Sequence, residues 1–291
     1  MSSIVGHKKI IEDLKNLKER DSLPNGFIFS GHSMIGKKTV AFAFANFLES
    51  GSFSVPSQNL ILQDAKLIDK NFSKLLKPDS SGDSIGIDAS YEIKKFLFDR
   101  PNKSSRRVLI VDEAERMTSE AQNAILKIAE EPPLSSFIIL ISSDNEGLLP
   151  TISSRFQKIT FSSVSEQEII GWLISDFNVS KKDSTAVAKK SFGNPGIAWR
   201  LIFDEVFKKN ILLAQRFIKS TDVNRKDIIK EIIQPEDFNM RDFLDVVILN
   251  LAWDDKIKNR AKKWHKALAL YSQIANFSLN PRLQLENLLI D

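Results

Sequence analysis

The sequence contains no cysteine among its 291 residues, and this absence removes several classes of function at once. Disulfide bonds, thiol catalysis and cysteine-ligated zinc sites all require a residue that the chain does not have. The histidines are also few, and His7, His32 and His265 lie far apart without metal-ligand spacing. We therefore predict no metal site and no bound zinc.

Long apolar runs are missing as well. None approaches the roughly 20 residues needed to span a bilayer, and the first nine residues have no apolar targeting core. We therefore expect a cytoplasmic protein with no membrane partner. The 41 basic and 37 acidic residues nearly balance, at a net charge of +4. So mild an excess permits contact with nucleic acid but does not indicate it, and the basic segment 256–266 is typical of a solvated helix face.

The run from Gly31 to Thr39 is close to a phosphate-binding loop, which reads G-x-x-x-x-G-K-[ST]. Gly31, Gly36 and Lys37 are in register, but Lys38 occupies the position of the hydroxyl that ligates Mg²⁺. One helical step turns a side chain by about 100°, so Thr39 is expected to point elsewhere. A second ammonium also repels a metal ion. ATP is the cofactor that such a loop would take, and the sequence leaves open whether it still binds.

Three further motifs carry possible chemistry. Asp112 and Glu113 follow an apolar run, where a carboxylate pair suits metal binding and water activation, respectively. Ser142 and Ser143 end another apolar run and could sense a γ-phosphate. Arg155 could stabilise a phosphate in the site of a neighbouring subunit. The plainer alternatives are a solvated strand end for the carboxylates, a turn for the serines and an internal salt bridge for the arginine.

Apolar strands alternating with amphipathic helices predict a parallel α/β sheet over residues 1–162. The predicted strands are 26–30, 107–112 and 137–141, with further candidates at 59–62 and 158–161, and the predicted helices are 7–20, 37–49 and 118–131. Asp88 is expected to cap another helix, and residues 78–83 are expected to form a loop. The rest of 50–87 has no clear helix or strand pattern. After residue 162 the strands stop and capping boxes at Ser165–Glu168 and Ser180–Asp183 open helices. We predict helical units at 163–203 and 204–291.

Four segments, taken in order, resemble the bacterial clamp loaders, which are AAA+ proteins. The segments are Gly31–Thr39, Val111–Ala114, Asn123–Lys127 with Glu130–Pro133, and Leu148–Arg155. The resemblance covers residues 1 to about 204, whereas the rest matches in length, helical character and its ending. It implies a RecA-like parallel-sheet domain at 1–162, a helical lid at 163–203 and a helical collar at 204–291.

Clamp loaders open the sliding clamp of the replicative DNA polymerase and close it around primed DNA. Within this family the chain most resembles delta prime subunits, because Lys38 displaces the hydroxyl and Gly193–Gly196 lacks the lid arginine of motor subunits; Arg200 is a weak substitute. The resemblance implies a stator in a hetero-pentamer, part of a DNA polymerase (nucleotidyltransferase) holoenzyme. Its partners would be the other clamp-loader subunits, the sliding clamp and primed DNA. Arg155 would be an arginine finger in trans, and Glu113 would be vestigial.

The same residues permit three alternative functions. An ATP-hydrolysing motor subunit is the first alternative, because Lys37, Asp112 and Glu113 are all present. A small-molecule kinase ranks lower, because a substrate-phosphate lid needs arginines that residues 50–100 scarcely offer. A purely structural protein fits everything except Lys37. Clamp loaders usually carry four zinc-binding cysteines between the first two motifs. Residues 50–87 of this chain are therefore expected either to fold without zinc or another metal, or to stay short and mobile.

Overall fold

The computed structural model describes residues 3–56, 61–69, 72, 75, 84–143, 147–235, 238–274 and 280–288. The chain divides into two compact units, Met1–Ala198 and Trp199–Asp291. The first unit is α/β, and every described element that lies wholly in the second is a helix. None of the helices in the described ranges combines the length and apolar character that crossing a bilayer demands.

A five-stranded parallel sheet forms the centre of the first unit. Its strands are β1 (Gly26–Ser30), β2 (Ala65–Ile68), β3 (Arg107–Val111), β4 (Ser136–Ser142) and β5 (Gln157–Thr160). They pair in the order β2-β3-β4-β1-β5, and every pairing is parallel. Every residue of β1, β3 and β4 is buried, as continuous apolar runs predict for central strands. The predicted parallel α/β sheet is therefore confirmed.

Helices cover both faces of this sheet. The α-helices that begin in this unit and whose bounds lie in the described residues are α1 (Lys8–Glu19), α2 (Lys37–Ser50), α3 (Ile87–Phe98), α4 (Ser119–Glu130), α5 (Pro150–Ser153), α6 (Glu166–Phe177), α7 (Lys181–Lys190) and α8 (Pro195–Phe203). Phe27 and Phe29 pack in one apolar cluster with α1 and α2. Ile28, between them, packs in a second cluster with α3 and α4. Alternate residues of β1 thus point to opposite, fully covered faces.

The predicted strand at 59–62 is wrong where it can be compared. Residues 59 and 60 lie outside the described part, 61 and 62 are not in a strand, and the edge strand is β2, at Ala65–Ile68. Asp64 explains this position. Its buried carboxylate accepts the backbone N–H groups of residues 102–104 at 2.7 Å and lies 3.4 Å from Arg107. The residues after Asp64, and not those before it, therefore pair with β3.

The helix starts show which capping predictions succeeded. The Ser165–Glu168 capping box is confirmed, with both reciprocal side-chain to backbone bonds. At Ser180 the hydroxyl oxygen accepts the Asp183 N–H, but the Asp183 carboxylate bonds the same hydroxyl rather than the Ser180 N–H. Asp88 is not a cap, because α3 begins at Ile87 and Gly86 holds the N-cap position. The loop predicted at 78–83 lies outside the described residues.

The second unit packs its helices around one apolar cluster. They are α9 (Glu205–Ile218), α10 (Asp222–Ile233), α11 (Met240–Trp253), α12 (Arg260–Ile274) and α13 (Pro281–Leu288). Phe207, Phe217 and Phe243 are among its fully or almost fully buried side chains. Its helical character agrees with the prediction for the C-terminal region. The division into units falls inside α8, and the three-domain boundaries given above stay predictions.

Candidate nucleotide site

The sheet brings three of the predicted motifs to one edge. β3, β4 and β1 are neighbours, and their carboxyl ends lead into Asp112, Ser143 and the loop at 31–36, respectively. Ligands of open α/β sheets bind at this edge of the strands. The topology therefore brings the loop, Asp112 and Ser143 to the same end of the sheet.

The loop between β1 and α2 has the backbone shape of a phosphate-binding turn. Gly31 and Gly36 have φ angles of 138° and 108°, and Met34 has a φ of 61°. A Cβ on Gly31 would lie 2.5 Å from the carbonyl oxygen of Phe161, so only glycine fits there. His7, for which the sequence predicts no partner, places Nε2 2.9 Å from the Ile35 carbonyl oxygen and so helps to hold the loop.

Lys37 is bound by the loop itself. Its side chain is only 6% exposed, and Nζ donates to the carbonyl oxygens of Gly31 and His32, the latter at 2.7 Å. Burial lowers the pKa of Lys37 to about 8, although the nearby carboxylates of Glu115 and Asp112 oppose this shift. The lysine that would reach nucleotide phosphates therefore already has two acceptors.

Lys38 forms an ion pair with the carboxylate that follows β3. Its Nζ lies 3.0 Å from Oδ2 of Asp112 and 3.7 Å from Oδ2 of Asp69. The other oxygen of Asp112 accepts the N–H of Glu113 at 3.1 Å. Mg²⁺ requires oxygen ligands in near-octahedral geometry, whereas here an ammonium neutralises the carboxylate and the residue directly after Lys37 has no hydroxyl. The residues present do not fit a bound Mg²⁺.

Glu113 and Ser143, at the same edge, also have partners within the protein. The Glu113 carboxylate lies 3.1 Å from Nε of Arg116. Ser143 donates its N–H, at 3.2 Å, and its hydroxyl to Oε1 of Glu115. Ser142 is completely buried. Sequence reasoning missed Glu115, whose only signal was its place as a third acidic residue just after Asp112 and Glu113.

The N-terminal end of α8 contacts the loop directly. Gly196 donates its N–H to the carbonyl oxygen of Met34 at 3.0 Å, and a Cβ on Gly196 would lie 2.8 Å from the Cβ and oxygen of Met34. The arginine expected of motor subunits is absent from this stretch, and the hydrogen bond to the loop is made by backbone groups. Arg200, the weak substitute, lies in the second unit and donates its Nε–H to Asp204 of the same unit at 2.8 Å.

Arg155 lies on the turn after α5, and its side chain forms hydrogen bonds to groups that are not part of the loop at 31–36. Its Nη2 donates to Oε1 of Glu130 at 2.7 Å and its Nη1 to the carbonyl oxygen of Thr151 at 3.2 Å. The internal salt bridge given as the plainer alternative is therefore formed. The side chain nevertheless keeps 36% of its surface exposed, so the guanidinium stays accessible to a neighbouring molecule.

Comparison with known proteins shows which family the chain resembles. A family model described as "DNA polymerase III, delta subunit" matches residues 6–165. The chain is 29% identical over 140 residues to DNA polymerase III subunit delta' of Escherichia coli, covering 48% of this chain and 42% of that protein. It is 27% identical over 185 residues to DNA polymerase III subunit gamma/tau of Mycoplasma genitalium, covering 64% of this chain and 30% of that protein. The aligned part is thus less than half of either relative.

Solved structures share the fold. The crystal structure of a DNA polymerase III gamma subunit-related protein from Thermotoga maritima superposes with a TM-score of 0.53 at 23% identity, covering 95% of this chain and 97% of that one. At this identity the likeness shows the fold alone, and it confirms the predicted AAA+ architecture with additional helices. Because the family model matches more than half of its 291 residues, the chain belongs to the DNA polymerase III delta-subunit family of bacterial clamp-loader AAA+ proteins.

Proposed function

We propose that the chain is a clamp-loader subunit of the DNA polymerase III holoenzyme, of the delta prime type. In this role it acts in the cytoplasm as a stator. It assembles with the other clamp-loader subunits in a hetero-pentamer, helps to load the sliding clamp onto primed DNA, and donates Arg155 to the nucleotide site of an adjacent motor subunit. Family membership and the DNA polymerase III relatives support the clamp-loader part of this proposal.

One observation carries the stator part. The Lys38 ammonium lies 3.0 Å from Asp112, the carboxylate that would hold Mg²⁺ in an active site of this type. A protein that neutralises this carboxylate with its own cation has no use for it in metal-assisted phosphoryl transfer. The exposed Arg155 is, by contrast, available to act on phosphate held elsewhere. We expect little or no ATP hydrolysis by the chain alone, and any nucleotide bound at 31–39 to be bound without magnesium.

The test is an Arg155→Ala protein assembled with its clamp-loader partners. An arginine finger contributes roughly 10³- to 10⁵-fold to hydrolysis, so the phase of DNA-stimulated ATP hydrolysis from the adjoining site should be lost. Arg20→Ala, which removes an exposed arginine at the end of α1, is the matched control and should leave all phases unchanged. Unchanged hydrolysis in the Arg155→Ala assembly would mean that this arginine has no role in trans.

A motor subunit is the second candidate, and the presence of Lys37, Asp112 and Glu113 favours it. The purified chain alone distinguishes the two. A stator should show no steady-state hydrolysis that Glu113→Gln removes, whereas a motor subunit should lose its activity with this substitution because the water-activating carboxylate is gone. Turnover that depends on Glu113 would reject the stator proposal.

A further inference from the structure

We infer that Glu130 is the positioning residue for Arg155, holding the guanidinium in the orientation in which it meets a nucleotide phosphate of the neighbouring subunit. The inference deepens the proposed function and rests on it, because the phosphate in question belongs to the partner. The contact that carries it is the 2.7 Å bond between Nη2 of Arg155 and Oε1 of Glu130.

The backbone at Arg155 is fixed on both sides. Ile152 is completely buried and Phe156 is 5% exposed, and both belong to the apolar cluster that contains α3 and α4. The N–H of Arg155 also donates to the Ile152 carbonyl oxygen at 3.0 Å. Packing therefore sets where the side chain leaves the protein, but it does not set where the long, flexible side chain points.

Two bonds set that direction. Nη1 donates to the Thr151 carbonyl oxygen at 3.2 Å and Nη2 to Glu130. Arginine has more N–H donors than these two bonds use, and its planar fork keeps the others in a fixed relation to them. Glu130 can therefore stay bonded while the free N–H groups face a phosphate. A guanidinium that is already oriented loses less conformational entropy when it binds.

Folding stability does not explain the placement of Glu130. The Arg155 and Glu130 side chains are 36% and 45% exposed, and ion pairs this exposed contribute little to stability. Glu130 is also the last residue of α4, where a negative charge opposes the helix dipole. Glu131, its neighbour, carries the same charge on the surface, which makes it a matched control.

The test uses the chain assembled with its clamp-loader partners, ATP, Mg²⁺ and primed DNA, and follows the phase of hydrolysis that Arg155→Ala removes. Glu130→Ala should slow this phase roughly tenfold without changing the ATP concentration that gives half the maximal rate. Glu130→Gln keeps an acceptor oxygen and should restore most of the rate. Glu131→Ala should have no effect. The double variant Glu130→Ala/Arg155→Ala should be no slower than Arg155→Ala, because Glu130 acts through the arginine.

Each contrary outcome has a distinct meaning. Losses that multiply in the double variant, or a Glu130→Ala protein with the unaltered rate, overturn the role of Glu130 but leave the trans role of Arg155 in place. Faster hydrolysis by the Glu130→Ala assembly also overturns the positioning role. It would mean that the Glu130 carboxylate holds Arg155 away from the phosphate. If Arg155→Ala removes no phase at all, the proposed function and this inference fail together.

Discussion

The ammonium of Lys38 lies 3.0 Å from Oδ2 of Asp112 and 3.7 Å from Oδ2 of Asp69. The protein's own ammonium group thus lies between two carboxylates, one directly after β3 and the other directly after the neighbouring strand β2. In a magnesium-dependent site a divalent ion would bind such carboxylates. The pair joins the second residue of α2 to the residue after β3, so it connects two elements of the fold.

Replacing Lys38 by serine should recover a dependence on magnesium. The substitution removes the competing cation, frees Asp112 and puts a hydroxyl directly after Lys37, as the phosphate-binding loop requires. Changes around metal sites typically alter metal affinity by roughly 10- to 100-fold, and we expect a change on that scale. The measurement is equilibrium titration of the purified chain with a fluorescent ATP analogue, in Mg²⁺ and in EDTA.

The wild-type chain should have the same affinity for the ATP analogue in Mg²⁺ and in EDTA. Lys38→Ser should bind the analogue more tightly in Mg²⁺ than in EDTA. Lys38→Ser/Asp112→Asn is the control, because it keeps the new hydroxyl but removes the carboxylate, and it should lose the gain. Strictly magnesium-dependent, tight binding by the wild-type chain would contradict the interpretation of the Lys38–Asp112 pair.

Adding a methyl group at Gly196 should detach the start of α8 from the loop. A Cβ there would lie 2.8 Å from the Cβ and carbonyl oxygen of Met34, with the 3.0 Å bond from the Gly196 N–H alongside. Overpacking of this kind costs about 1–3 kcal/mol. We therefore expect Gly196→Ala to lower the free energy of unfolding by that amount in urea, and to speed amide hydrogen exchange in α8 and at 34–36.

Gly171 gives the matched control. It lies in α6, is exposed, and has nothing within 4 Å of an added Cβ. Alanine at an exposed helix position is favoured over glycine by about 0.5–1 kcal/mol, so Gly171→Ala should stabilise the chain slightly. Equal exchange rates in the two variants would show that the Met34–Gly196 contact does not hold α8.

The parts of the fold that the sequence predicts best are those with strong local patterns. β1, β3 and β4 are continuous apolar runs, and such runs are buried whatever the details of packing. The glycine and lysine spacing at 31–37 predicts the loop, and parallel topology then brings Asp112 and Ser143 to the same edge. These three steps require no knowledge of side-chain contacts.

The missed features depend on contacts between distant segments. β2 is a short strand aligned by the buried Asp64 carboxylate, and residues 102–104, which donate to it, are far away in sequence. The same is true of Ser143, which bonds Glu115, and of His7, which bonds Ile35. Sequence reasoning identified Lys38 as a misfit for magnesium. The partner of its ammonium, however, follows only from the distance between α2 and β3 in the folded chain.

Asp245 in α11 should make the stability of the chain depend on pH. Burial and the neighbouring Asp242 carboxylate raise the pKa of Asp245 to about 6, against the opposing effects of Arg241 and the Tyr271 hydroxyl. A carboxyl whose folded-state pKa is raised stabilises the fold when protonated, and this contribution is lost as the pH rises through 6. Above that pH the buried charge costs up to about 3 kcal/mol, at 1.36 kcal/mol per pKa unit.

Asparagine cannot ionise, so Asp245→Asn removes this penalty. Relative to the wild-type chain, the variant should gain stability between pH 4.5 and 7.5, and the gain should level off above about pH 7. Urea unfolding of both proteins across this range measures the difference. Asp227→Asn controls for the loss of a surface carboxylate, since the Asp227 side chain is 83% exposed and solvent screens its charge. A difference between Asp245→Asn and wild type that stays constant with pH would contradict the raised pKa of Asp245, because both states would then bind the same number of protons.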